Sequence, residues 1–172
     1  KDELARRLFA DAGQVSSLGS HCLVYVNGKL MPNGGYYNAV ERIEADFLQL
    51  HHGGSDKWDV LSQGATVLDG NNRDFLSMMS LVTTKSMTNP ANYLAMAARL
   101  DLTNFVDYLL VNAYAFNGDW PHNNWRAARE RVAGRPWRFY VWDAEFGFGT
   151  GGRSVTGNTF TEDLGGSTQI HT

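Results

Sequence analysis

The stretch from Leu102 to Asp143 constrains the fold more than any other part of the chain. It opens with the most apolar run of the sequence, carrying Phe105, Leu109, Val111 and Tyr114, and reads as a core helix over 102–116. Asn117-Gly118 stops that helix. A polar stretch follows, Asn117-Gly118-Asp119-Trp120-Pro121-His122-Asn123-Asn124-Trp125. Then Trp125–Arg129 and Trp137–Trp142 read as two strands around the Ala133-Gly134 turn, and Asp143 stands at the end of the second. Asp119 and Asp143 each sit at the edge of an apolar element. Burying a carboxylate there is costly unless it meets a cation or hydrogen-bond donors.

Upstream, residues 2–12 read as an amphipathic helix ended by Gly13, with Leu4, Leu8 and Ala12 in register and Ala5 and Phe9 beside them. Residues 22–27 read as a strand, Asn27-Gly28 as a turn, and Tyr36–Val40 as the returning strand of a long-looped hairpin. Glu41–Leu50 reads as a helix with Ile43, Phe47 and Leu50 on one face. Gly53–Asn72 is loop-rich, with one short strand near Thr66–Leu68. Helices follow at about 73–85 and 90–99. After Asp143 the chain turns glycine-rich and polar. The order is that of an α+β domain, with a small β region first and a helical region carrying a β-hairpin second. Phe105, Leu109, Tyr114, Trp125, Phe139 and Trp142 are the expected core.

Composition narrows the function classes. Hydrophobic residues make up 43% and aromatics 12% of the 172 residues, which argues for a folded domain. The net charge of −3 gives no basic excess for nucleic acid. The single cysteine, Cys22, excludes an intrachain disulfide and a cysteine-rich metal site, and reads as a buried thiol on a strand. No apolar stretch approaches the roughly 20 residues of a membrane-spanning helix. His122 lies about 70 positions from His51 and His52 and makes no metal-ligand spacing with them.

The polar spacing points to phosphoryl transfer. That chemistry needs a carboxylate near the acceptor hydroxyl and oxygen ligands for a divalent metal on the phosphates. Asp119 is followed five residues later by Asn124, then by the hairpin, then by Asp143, the order of the catalytic and metal-binding groups of protein kinases. Phe146-Gly147 is a displaced echo of the kinase metal loop. The same residues also read as plain loop groups, with Asp119 capping a turn and Asp143 binding backbone amides at a strand end. A pair of carboxylates serving a hydrolase is a third reading.

At these positions the sequence resembles the CotH (spore coat protein H) kinase family. The matching pieces run in order: Tyr25-Val26-Asn27-Gly28, Gly35 to Ile43, Leu100 to Tyr108, Asp119 to Asn124, and Trp137 to Asp143. The resemblance implies one protein-kinase-like domain over 1–172, incomplete at its N-terminus. Within it, 1–50 would be the remainder of the N-terminal lobe, 51–150 a mainly helical lobe, and 151–172 a poorly packed Gly-rich segment. It implies ATP and Mg2+ or another divalent metal as cofactors, and a protein substrate, a serine-rich coat or surface protein. A spore-coat or cell-surface location goes with it. Asp119 would be the catalytic carboxylate, and Asn124 and Asp143 the metal ligands. Arg42 would grip phosphate, or form an ion pair with Glu41 or Asp46. Trp137 would pack on adenine, or sit in the core. Glu3 would pair with an upstream lysine, or be an exposed helix-start residue. The alternative function is a non-catalytic surface or spore-coat binding protein of the same fold.

Overall fold

The structure is a computed structural model. It describes residues 1–150 with Thr156 and Gly157, the side chain of Asn33 excepted. The Gly-rich segment expected at 151–172 lies outside the described residues apart from those two.

Helix α1 (Asp2–Asp11) buries Ala5, Arg6 and Phe9, while Leu4 is half exposed. The expected strand 22–27 is divided. Strand β1 (Gly19–Leu23) pairs antiparallel with β4 (Tyr36–Val40), whereas β2 (Tyr25–Val26) and β3 (Lys29–Leu30) form their own small hairpin between them. Asn27 and Gly28 both have positive φ, 50° and 76°, as a two-residue turn between twisted strands requires. Val24 separates the pairs, donating to Gly35 O and accepting from Met31 N, both at 2.9 Å. Cys22 is only partly buried, its Sγ 3.6 Å from Tyr37 O, because this ribbon is covered incompletely.

Helix α2 (Ala45–His52) starts later than expected. It buries Phe47 and Leu48, and Leu50 points outward at 76% exposure. The region read as a loop contains strand β5 (Trp58–Ser62), buried along its whole length, and β6 (Thr66–Asp69). With β7 (Trp125–Glu130) and β8 (Arg138–Val141) they make a four-stranded antiparallel sheet in the order β6-β5-β7-β8. The expected hairpin is therefore half of a sheet, and the region 51–150 is α+β rather than mainly helical. Alternating residues cover both faces. Leu61, Ala127, Phe139 and Val141 join one core cluster with Phe9, Phe75 and Tyr108. Trp58, Val60, Ala128 and Tyr140 join a second with Ile43, Phe47 and Leu48.

Helices α3 (Arg73–Thr84), α4 (Pro90–Ala97) and α5 (Leu102–Ala115) lie close to their expected bounds. Their signals are strong. Asn89 accepts from Ala91 N with Pro90 in the first turn, and Asp101 accepts from Asn104 N. Helix α5 faces the core with Asn104, Tyr108, Val111, Asn112 and Ala115. Tyr114, expected inside, is 76% exposed, and Phe105, Leu109 and Trp142 are only partly buried. The face was misassigned because its inward stripe holds two asparagines.

Those asparagines are structural. Asn104 Oδ1 accepts from Phe139 N at 2.7 Å, and its Nδ2 donates to Phe139 O at 3.0 Å. Strand β8 is the edge of the sheet, so one side-chain amide stands in for a missing neighbouring strand. Asn112 Nδ2 donates to Tyr108 O, and Asn117 Nδ2 reaches Asn112 Oδ1 at 3.4 Å.

Candidate functional site

Two loops meet at one end of α5, and their meeting is built from backbone and core contacts. The loop after α5 is anchored by Trp120, which is fully buried and donates Nε1–H to the Tyr108 hydroxyl at 2.6 Å. Burial raises the Tyr108 hydroxyl pKa, so it stays protonated. The peptide between Trp120 and Pro121 is cis. The loop after β8 docks on the end of α5: Phe148 N donates to Ala115 O at 2.6 Å, and Gly118 N to Phe146 O at 3.4 Å. Gly147 permits that approach, since a Cβ there would stand 3.0 Å from Ala115 O and 3.2 Å from Ala144 O.

This docking brings Asp119, Asn124 and Asp143 together. Asn124 Nδ2 donates to the Asp143 carbonyl at 2.9 Å, which turns its Oδ1 away from that bond. Asn124 and Asp143 both hold left-handed backbone, φ 54° and 56°. Asn and Asp tolerate this conformation better than other non-glycine residues. Among the described residues, the carboxylates of Asp119 and Asp143 have no hydrogen-bond donor and no ion-pair partner. Burial raises the Asp143 pKa, and the charges of Asp2 and Asp119 raise it further, against an opposing pull from Arg126. Glu145 is raised by burial and then by Asp143, Asp2 and Asp119. The cluster is thus a concentration of negative charge in which Arg6 pairs with Asp2 and Arg126 acts on Asp143 at longer range, and no cation among the described residues pairs with Asp119 or Asp143.

Beside it opens a cleft of about 560 Å3. Asp2, Asp143 and Glu145 form its acidic end. Tyr36, Tyr37 and Trp142 give it an aromatic wall, with Arg6, Asn38 and Val40 completing the lining. The Arg126 guanidinium lies 4.6 Å from the centre of the Trp142 ring and is held by Trp125 O and Gln63 Oε1.

The donor set suits a hard divalent cation, being all oxygen and unneutralised. Among the described residues, no group of three or more His, Cys, Asp or Glu side chains could hold a metal.

The other expected site residues fall elsewhere. Trp137 is fully buried, donates Nε1–H to Asp74 Oδ1 at 3.0 Å and packs edge-on against Phe75. It has no free face for adenine, and the cofactor-binding expectation is corrected to a core role. Arg42 is 77% exposed and pairs with Glu44 at 3.0 Å, not with Glu41 or Asp46. It is near enough to Arg126 for the two positive charges to oppose one another. Glu3 pairs with Arg6 on its own helix at 2.7 Å. His122 is exposed on the loop. Sequence reasoning passed over Asp2, Arg126 and Trp142. Trp142 stood next to Asp143, and Asp2 lay four residues before Arg6, a helical ion-pair spacing; Arg126 carried no signal beyond its charge.

A family model described as CotH kinase protein matches residues 1–170. No curated protein matches the chain. Among the described residues, no helix is long and apolar enough to cross a membrane. With nearly its whole length matched, the chain belongs to the CotH kinase protein family.

Proposed function

We propose that this α+β domain is protein-kinase-like and transfers the γ-phosphoryl group of ATP to a serine or threonine of a protein substrate. The observation that carries this reading is the Asp143 carboxylate, which lines an aromatic-walled cleft without an ion-pair partner among the described residues, feels the charge of Asp119 and has the Asn124 amide bonded to its own carbonyl. Asp143 and the Asn124 side-chain oxygen would hold the metal. Asp119 orients the acceptor hydroxyl and takes its proton. Magnesium, when bound, neutralises charge on the β- and γ-phosphate oxygens. Trp142, with Tyr36 and Tyr37, offers the nucleotide an apolar wall, and Arg126, stacked on Trp142, supplies positive charge near Asp143. The family suggests a serine-rich coat or surface protein as substrate, and a coat or cell-surface location.

The test is a calorimetric titration of Mg–ATP into the full chain, paired with a phosphorylation assay on a serine-rich protein. Asp143→Ala loses metal-dependent ATP affinity. Asp119→Asn keeps that affinity and loses turnover, because its role is with the acceptor. Wild-type rates in both variants would sink the reading and favour a non-catalytic coat or surface role for the same fold.

A further inference from the structure

Helix α1 holds the loop that carries Asp143 by two consecutive side chains. Lys1 Nζ donates to Phe148 O at 3.0 Å and to the Thr150 hydroxyl. Asp2 Oδ1 accepts from Ala144 N at 3.0 Å. Ala144 is fully buried, and among the described residues Asp2 is the acceptor for its N–H. The other oxygen of Asp2 is fixed by Arg6 Nε at 3.0 Å. Arg6 is 2% exposed and is held in turn by Glu3 Oε2 at 2.7 Å and by Ser17 O. Strand β1 closes over this group at Gly19, where a Cβ would stand 2.7 Å from Arg6 Nη2 and from Glu3 Oε2. Asp2 therefore cannot swing without breaking a buried, charge-assisted set of bonds.

We infer that Asp2 is a positioning residue for Asp143, acting through the Ala144 amide. Fixing that N–H fixes the peptide plane that follows Asp143, whose left-handed backbone aims its carboxylate. The seating of α1 thereby sets whether the Asp143 side chain faces the cleft. This rests on the proposed role of Asp143 as a metal ligand.

The test uses the full chain with Asp2→Ala and Asp2→Asn. Asparagine keeps a carbonyl oxygen for the Ala144 N–H; alanine keeps none. In ligand-free protein, Asp2→Ala speeds exchange of the Ala144 amide by about tenfold or more, and Asp2→Asn restores most of the protection. Mg–ATP affinity follows the same order, falling about tenfold in Asp2→Ala, which is the loss of about 1.4 kcal/mol of binding. Leu109→Ala, matched for loss of Tm, keeps its affinity. If Asp2→Ala does not fold, Asp2→Ser keeps a good helix-start residue but lacks the reach, and takes its place. Wild-type exchange and affinity in the alanine or serine variant would overturn the positioning role alone. So would failure of Asp2→Asn to rescue. A wild-type protein that does not bind Mg–ATP would instead overturn the reading of Asp143, and this inference with it.

Discussion

Asn104→Leu tests the join between the two elements that carry the site carboxylates. Helix α5 leads into Asp119, β8 leads into Asp143, and Asn104 ties one to the other through both backbone groups of Phe139. Leucine fills a similar volume, so no cavity term enters, but Phe139 N–H and C=O lose their partner in a residue 4% exposed. Each orphaned buried group costs about 1–3 kcal/mol, or roughly 2–6 kcal/mol for the pair. The leucine methyls recover about 1–2 kcal/mol by apolar burial. At the midpoints of these ranges a net loss of about 2.5 kcal/mol is expected, which lowers Tm by roughly 5–10 °C in a domain of this size. Urea unfolding should show a lower midpoint at unchanged slope. Asn104→Asp, which keeps the acceptor for Phe139 N–H and loses the donor, should fall between. A loss below about 1 kcal/mol for Asn104→Leu would show that the edge of β8 does not depend on this amide.

Trp137→Phe should lower stability by about 1–3 kcal/mol, since it removes the bond to Asp74 and buried volume, while leaving the Mg–ATP dissociation constant unchanged in a titration. His52 has its pKa lowered to about 4, by burial and then by Arg138 and His51. It is neutral when folded and takes a proton when unfolded, so its contribution is complete above about 6.5 and is lost as pH falls toward about 4. His52→Phe should flatten the stability–pH slope in that window, read by urea midpoints across a pH series.

Helix bounds were legible because they rest on local chemistry. Asn89-Pro90 and Asp101 mark helix starts whatever surrounds them. Strand β5 was not legible, for a tertiary reason. Trp58-Asp59-Val60-Leu61-Ser62 shows no apolar–polar alternation because both of its faces are covered. Its charged member, Asp59, is buried against Arg129 at 3.1 Å and the Asn71 amides at 2.9 Å, groups 70 and 12 residues away. The inward face of α5 was missed likewise: Asn104 is a core residue only because the edge of β8 needs its amide. In the site, the spacing of Asp119, Asn124 and Asp143 was visible along the chain. Asp2 was not, since its link to Ala144 spans 142 residues.

Spacing alone does not separate a carboxylate that holds the fold from one kept for a ligand, and here their partners do. Asp59 is fully buried and answered by Arg129, Arg131 and Asn71. Asp143 is answered by no ion pair among the described residues and lies among Asp2, Asp119 and Glu145. Opposite signs of mutational effect follow. Asp59→Asn breaks a buried pair and should cost about 3–5 kcal/mol. For Asp143 the folded-state pKa lies above its ordinary 3.8, so the folded protein binds the proton more tightly than the unfolded chain. Its stability contribution therefore falls as pH rises from about 3.8 through the raised value, and the penalty belongs to the ionised form. Asp143→Asn should remove that penalty and raise Tm at pH 7, with the gain vanishing in acid, while abolishing metal-dependent ATP affinity. Thermal unfolding of both variants at pH 7 and near pH 3 decides it. A loss of stability at pH 7 in Asp143→Asn as large as that in Asp59→Asn would mean that Asp143 serves the fold, and that the cluster is not held open for a cation.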